Sequence, residues 1–359
     1  MHTHAIPSLG EAAGTSCPPA AASSPDPASG HVMVVIPTLN EAKHIESVLE
    51  GLLAEVSSFA RMSIVVADGG SSDGTVDLVA SMCRRFPAIT LIHNGARLQS
   101  AAVNLAVAQC SGQENFLIRC DAHAHYPANY CKRLIETMNR VNADAVVVSM
   151  DSVGIAPVQR AVAWVSNSLL GTGGSGHRAG QRSGFVDHGH HAAFRMETFR
   201  KVGGYEDRFT PNEDAEFDCR QRMMGAKVYL DATIRVQYYP RPNLSALWRQ
   251  YYKYGSARSR TARRHPHSLR LRQMVVPLHV ALCATGAALG AWVPSLLAWP
   301  AVYGAVLCVA SVYFAVRKRA LCGLLTGPAA GVMHAAWGCG FLTALVRPEP
   351  RWASTSKAV

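Results

Sequence analysis

At 359 residues the chain can bury one large core, or one core plus an appendage. Its ten cysteines are scattered from Cys17 to Cys339 with no C-x-x-C pair, which argues against a zinc site of ordinary spacing and against a disulfide framework, and suits a reducing compartment. The formal charge of +11 is uneven: no Asp or Glu occurs from Ala232 to Pro348, so the basic excess there faces either nucleic acid or anionic lipid.

In chain order, residues 1–30 are rich in Ala, Pro and Ser, with no basic n-region and no apolar h-region. They are expected to form a disordered leader and not a signal peptide. Val32 to Ile36 has the β-branched content of a buried strand. Asn40 can cap the helix after it, where Ala42, Ile45, Val48, Leu49, Leu52 and Leu53 recur at helical spacing. Ser63 to Ala67, Ile89 to Ile92, Asn115 to Arg119 and Ala145 to Val148 are further strands, with helices between them. Such alternation predicts an α/β domain, a Rossmann-like, mostly parallel sheet covered on both sides, with ligands at the carboxyl ends of its strands.

The polar clusters fall at those ends. "PTLNE", "DGGSSDGT" and "RCDAHAHYP" each follow a strand directly. The first turn lacks G-x-G-x-x-G, so a dinucleotide is not expected there. Without a glycine nest, a diphosphate needs a divalent metal, and Asp121 and His123, two apart in an extended segment, would share a side.

Beyond Asp231 the basic residues Arg249, Lys253, Arg258, Arg260, Arg263, Arg264, Arg270 and Arg272 cluster just before apolar runs at Met274 to Trp292 and Leu296 to Val316. A third, glycine-rich run covers Leu321 to Val346. Each is near the ~20 residues of a spanning helix. The tight turn between the first two, with Arg317, Lys318 and Arg319 after them, predicts a hairpin whose charged ends stay cytoplasmic. Nucleic acid then becomes the minor reading. The third run either crosses or lies re-entrant. The expected organisation is a leader at 1–30, a catalytic domain at 31–255, a basic juxtamembrane segment at 256–273, two to three transmembrane helices within 274–346, and a tail at 347–359.

"IPTLNE", "DGGSSDGT", "RCDAHAHY", "GGYEDRF" and "NEDAEFDCR", in this order, resemble a family 2 glycosyltransferase of GT-A fold. The likeness is to the succinoglycan-type glucosyltransferases, membrane-attached bacterial enzymes that extend exopolysaccharide repeat units, and it runs from about Val32 to Tyr254. The resemblance implies a nucleotide-sugar donor, usually UDP-linked, Mn²⁺ or Mg²⁺, and inversion at the anomeric carbon. It implies donor binding by Pro37, Thr38, Asn40, Glu41, Asp68 and Asp121, with Asp121 and His123 on the metal. His123 stands where the family's D-x-D has its second acid. Asp214 matches the catalytic base, and Glu213 beside it is the alternative. Asp73 and Gly74 are turn and cap residues; the bland alternative for Glu213 and Asp214 is an acid pair in the first turn of a helix that carries Asp218 and Arg222 as an i, i+4 pair. The histidines of 177–191 imply a mobile lid. "WRQYYKYG" resembles Q-x-x-R-W, with Gln250 in place, Lys253 for the arginine and Tyr254 for the tryptophan, which favours transfer of a single sugar over processive extrusion.

The reading that follows is an inverting hexosyltransferase, anchored as a multi-pass protein of the bacterial inner membrane with its catalytic domain in the cytoplasm. It moves a hexose from a UDP-hexose, glucose first among them, to a lipid-linked saccharide. Glu213, Gln250 and Lys253 would contact the acceptor or its diphosphate. The alternatives are transfer to polyprenyl phosphate itself, or a nucleotide-sugar-binding membrane protein that has lost catalysis.

Overall fold

The computed structural model describes residues 30–173, 182–209 and 211–347. The leader, apart from Gly30, and the tail beyond Arg347 lie outside the described residues, as does His177. Among the described residues, eight strands form one mixed, mostly parallel sheet in the order β3-β2-β1-β4-β7-β5-β8-β6. They are β1 (His31–Thr38), β2 (Arg61–Asp68), β3 (Ile89–His93), β4 (Phe116–Arg119), β5 (Ala145–Ser152), β6 (Gly184–Phe185), β7 (His190–Arg195) and β8 (Val228–Tyr238). The parallel half, β3-β2-β1-β4, meets the parallel pair β5-β8 across β7, which runs antiparallel to both neighbours.

The central strand β1 is buried on both faces: Val32, Val34 and Ile36 enter one core, Met33 and Val35 the other. That is why it reads as a continuous apolar run instead of an alternation. Helices α1 (Ile45–Leu53), α2 (Thr75–Arg85), α3 (Gln99–Ala108) and α4 (Tyr130–Arg140) are the crossovers. After β5 come α5 (Pro157–Ser166) and the short α6 (Leu169–Thr172). Next in the chain, α7 (Met196–Val202) and α8 (Glu213–Met223) pack on the second core, with Phe199 and Phe217 stacked and Phe194 edge-on to Phe217.

Asn40 does not cap α1. The helix begins at Ile45, and Asn40 instead sits in the left-handed region, φ 58°, which asparagine tolerates. Its side chain turns to the next loop.

Helix α9 (Leu244–Arg264) leads to α10 (Leu271–Leu289), α11 (Ala298–Arg317) and α12 (Thr326–Val346). Each of these last three is long and apolar enough to cross a membrane. They are not equivalent. The first two are 11% and 6% buried within the protein, but the third is 44% buried. Val162 and Val165 of α5, Leu247 and Tyr251 of α9, and Ala329, Ala330, Met333 and Ala336 of α12 form one shared core. Glycines allow the approach: a Cβ on Gly255 would overlap the Trp337 carbonyl, and one on Gly340 that of Tyr252. The boundary expected at residue 255 therefore falls within a helix packed on the third span.

A polar chain stitches the three spans together. Trp299 donates to His279 Nδ1 at 3.1 Å, the His279 and Tyr303 rings lie 4.1 Å apart, and Tyr303 Oη meets His334 Nδ1 at 2.9 Å. His334 Nε2 reaches the Leu170 carbonyl at 2.8 Å. Since a carbonyl only accepts, Nε2 carries the proton and Nδ1 accepts from Tyr303.

Candidate active site

The carboxyl ends of β1, β2 and β4 meet the amino end of α8. Two βα turns build the first wall. The backbone N–H of Asn40 donates to Ser71 Oγ at 2.8 Å, and its Oδ1 accepts from the Ser72 N–H at 2.9 Å. Glu41 N–H donates to Thr75 Oγ1 at 2.9 Å and Ala42 N–H to Asp73 Oδ2 at 3.0 Å. Pro37 and Thr38 end β1, with the Thr38 hydroxyl turned back onto the Ile36 carbonyl. Asp68 is 3% exposed, and its carboxylate accepts from the Gly70 and Ser71 amides and the Ser71 hydroxyl. It is largely satisfied by its own loop, and so shapes the pocket from behind. Arg97, also left-handed at φ 58°, clamps the same loop through the Gly69 and Gly70 carbonyls.

The segment after β4 turns instead of continuing extended, with Ala124 N–H on the Asp121 carbonyl. The side chains of Asp121 and His123 therefore part. His123 Nδ1 lies 2.8 Å from Glu41 Oε1, joining the first turn to this one. Asp121 faces inward, 3.7 Å from Arg119 and 3.7 Å from His190 Nε2. Among the described residues no three of His, Cys, Asp and Glu converge as a ready cation site. Asp121 Oδ1 is nevertheless buried without a hydrogen-bond partner. An orphaned carboxylate oxygen fits a divalent cation that takes one protein ligand here and fills its shell with phosphate oxygens and water.

Arg119, to which the sequence reading gave no role, is the hub. Its side chain is 5% exposed at the end of β4. One nitrogen reaches Asp214 Oδ1 at 2.7 Å and lies 3.6 Å from Glu213; the other donates to Gln99 Oε1 at 3.0 Å and lies 3.7 Å from Asp121. Its plane lies over the Tyr205 ring, 5.9 Å to the centroid. Asn104 holds Tyr205 through both backbone groups. Burial alone would pull the Arg119 pKa down, but the charges of Asp214, Asp121 and Glu213 push it well up, so the guanidinium is fixed as a cation.

Glu213 and Asp214 start α8, where the helix dipole favours anions. Their surroundings differ. The Glu213 side chain is 8% exposed and that of Asp214 18%. Burial, then the charge of Asp214, raises the Glu213 pKa. The expected Asp218–Arg222 pair does not form. Asp218 is buried and bonded to His188 Nδ1 and Gln221, while Arg222 pairs with Asp187 at 3.1 Å. The i, i+4 pair is Glu216–Arg220, and Glu216 also takes His265 at 3.1 Å and Arg264 at 3.6 Å from α9.

The histidine-rich segment enters the site in its described part: His188 on Asp218, and His190 beside Asp121. Gln250 is held by the hydroxyls of Tyr238 and Tyr254, both at 2.9 Å, and Lys253 is exposed. Among the described residues, no hydrogen bond or ion pair joins Gln250 or Lys253 to Asp121, Glu213 or Asp214. The basic cluster is also partly used internally. Arg258 bonds Ser268 and Gln273, Arg264 pairs with Glu206 and Glu216, and Arg270 pairs with Asp187.

A family model described as glycosyl transferase family 2 matches residues 33–203. The succinoglycan biosynthesis protein ExoA of Rhizobium meliloti is 42% identical over 324 residues, 89% of this chain and 96% of that one. A dolichyl N-acetyl-alpha-D-glucosaminyl phosphate 3-beta-D-2,3-diacetamido-2,3-dideoxy-beta-D-glucuronosyltransferase of Methanococcus voltae is 26% identical over 63% of this chain and 72% of its own length. Among solved structures, the mannosyltransferase PcManGT from Pyrobaculum calidifontis, in complex with GDP-Man and Mn²⁺, superposes with a TM-score of 0.56 at 20% identity. The match covers 86% of this chain and 88% of that one.

Proposed function

Because the chain belongs to glycosyl transferase family 2 and is a glycosyltransferase, we propose that it moves a hexose, glucose by preference, from a UDP-sugar to a lipid-linked saccharide in bacterial exopolysaccharide synthesis. One observation carries the reading: Arg119 brings Asp121, at the end of β4, and Asp214, at the start of α8, to a single buried cation. A donor-side carboxylate and an accessible second carboxylate thus share one cleft, as a single displacement at the anomeric carbon requires.

In this mechanism the loops around Asn40, Glu41 and Asp68 hold the nucleoside. Asp214, the more accessible acid of its pair, takes the proton of the attacking hydroxyl. Glu213, buried and favoured in its protonated form, lies beside it toward the acceptor. Mn²⁺ or Mg²⁺ held by Asp121 would supply neutralising charge for the departing diphosphate, while His123 braces Glu41. Exopolysaccharide synthesis as the setting is supported by the ExoA relative. The three spans, with cations flanking them, support a multi-pass protein of the inner membrane with its catalytic domain in the cytoplasm.

The test is a panel of radiolabelled nucleotide sugars, each assayed for transfer into the organic-extractable lipids of membranes holding the protein. Transfer from one UDP-hexose is expected. Asp214→Asn should cut it by about 10²- to 10⁴-fold with little change in donor KM, whereas Asp121→Asn should weaken donor binding as well. An active Asp214→Asn enzyme beside a dead Glu213→Gln enzyme would move the base to the first acid.

A further inference from the structure

The proposed transfer chemistry leaves His190 unused, although it stands inside the cleft. Strand β7 runs antiparallel to both neighbours, so its first residue, His190, lies at the carboxyl edge of the sheet beside the end of β4. The register with β4 pairs Phe116 with Arg195, Leu117 with Phe194 and Ile118 with Ala193. Continued past Ile118, the same register sets Asp121 opposite His190, and directly opposed residues share a face. The side chains do meet: His190 Nε2 lies 3.7 Å from Asp121 Oδ2. Two restraints hold the imidazole there. A Cβ on Gly189 would come 2.5 Å from Val147 Cγ2, so the backbone entering β7 lies tight on β5. One residue earlier, His188 Nδ1 meets Oδ2 of the buried Asp218 at 2.5 Å.

A gap of 3.7 Å is too long for a hydrogen bond, whose N···O distance is about 2.7–3.2 Å. It suits two donors of one cation, because ligands held at about 2.1 Å from an ion stand about 3–4 Å from each other. The other oxygen of the same carboxylate, Asp121 Oδ1, is buried without a hydrogen-bond partner. His123, where the motif places a ligand, is turned away onto Glu41 at 2.8 Å, and its side chain is 45% exposed. That of His190 is 25% exposed, close to the 18% of Asp121. A nitrogen donor thus stands beside the donor-side carboxylate, supplied by a strand remote from the motif.

We propose that His190 Nε2 joins Asp121 as the second protein ligand of the divalent cation, and that this nitrogen makes the site prefer Mn²⁺ to Mg²⁺. Imidazole suits transition ions, whereas Mg²⁺ favours an all-oxygen shell. Diphosphate oxygens and water complete the coordination, so the proposal rests on the nucleotide-sugar donor of the preceding section for those remaining ligands. It also accounts for a histidine at position 123: with a ligand arriving from β7, that position is left to brace Glu41.

The experiment uses the full chain in nanodiscs, labelled with ¹⁵N-histidine, loaded with Mn²⁺ and UDP and read by pulsed EPR. A ¹⁵N coupling of a directly bound imidazole is expected. His190→Gln should lose it and His123→Gln should keep it. The EPR signal of unbound Mn²⁺, titrated against Mg²⁺, should show the preference for Mn²⁺ shrinking by about tenfold or more in His190→Gln. His190→Glu guards against misfolding. A carboxylate there would only repel Asp121 if His190 were a packing residue, but as a ligand it should bind the ion and turn the preference toward Mg²⁺. Three results would overturn the proposal: bound Mn²⁺ without histidine coupling in the wild type, coupling that survives His190→Gln, or a preference that neither variant changes. The functional reading fails separately. Histidine coupling with Mn²⁺ and inorganic pyrophosphate, and no nucleoside diphosphate binding more tightly than pyrophosphate, would leave the ligand standing and remove the nucleotide-sugar donor.

Discussion

Removing the guanidinium of Arg119 should damage fold and site together. The side chain is 5% exposed, touches Asp214 at 2.7 Å, and stands within 4 Å of Glu213 and Asp121. At an effective dielectric of about 20, two unit charges about 3 Å apart attract by about 5 kcal/mol before desolvation is counted. Deleting one partner of a buried pair typically costs about 3–5 kcal/mol, because the remaining charge stays buried without compensation. Here three carboxylates would be left facing one another. Arg119→Met should therefore lower the melting temperature of the purified enzyme by roughly 10 °C, at about 2–4 °C per kcal/mol for a domain of this size. It should also raise the donor KM, since Asp121 loses its anchor. Arg119→Lys restores charge but has a single nitrogen, where the native fork sends separate nitrogens to Asp214 and to Asp121 and Gln99; it should recover stability more than turnover. Scanning fluorimetry and steady-state kinetics on the three proteins decide the matter. Arg119→Met melting within about 2 °C of wild type, with an unchanged donor KM, would refute the reasoning.

Glu213 gives a pH test. Its pKa is raised, first by burial and then by Asp214, so the folded state favours the protonated form; that stability is full at acid pH and is lost as pH rises through the raised value. Glu213→Gln should match wild type in melting temperature near pH 4 and exceed it increasingly toward pH 8, and a pH-independent gap would mean that Glu213 ionises freely. EDTA should abolish transfer and Mn²⁺ or Mg²⁺ restore it, while His123→Asp should leave the preferred ion unchanged, because His123 is turned onto Glu41; full activity in chelator would rule out the metal, and a changed preference would make His123 a ligand. Gly340→Ala places a methyl against the Tyr252 carbonyl and should cost about 1–3 kcal/mol, read as a lower melting temperature of the donor-bound enzyme. An unchanged melting temperature would show that the α9–α12 contact carries no load.

The alternation of strands and helices was legible because buried parallel strands are rich in Val and Ile and their polar turns follow at once. β7 was harder to see from residues alone, since "HHAAFR" has little β-branched content and its antiparallel insertion joins two parallel groups. The carboxylates of the site could be read from motif order, but Arg119 could not. Within "FLIRC" it looks like a charge at a strand end, and only the fold brings α8 onto it. Spacing also misled at α8, where Asp218–Arg222 and Glu216–Arg220 are equivalent on an isolated helix. Contact with α9 and the turn before β7 selects which acid is buried with which partner. Asp121 and His123 would share a face on a strand, and the turn at Ala124 separates them.

The glycine-mediated seam between α9 and α12 makes the catalytic domain and its last span one piece. An enzyme on a slack tether can sample many altitudes above the bilayer and service acceptors of many lengths. On the proposed lipid-linked acceptor, this one would work at a set height, fixed by the apolar helix packed against the domain. For such an acceptor, a saccharide too short to rise to the cleft would be out of reach, and one too long would have to fold back to present its end. On this view acceptor length is gauged by the mounting of the enzyme, as a fixed-bed press accepts only work of one thickness. Shifting α12 by one residue, through an insertion in the 3-10 turn Leu321–Leu325 that leads into it, should change which oligosaccharide lengths are extended without touching any residue of the sugar-binding site.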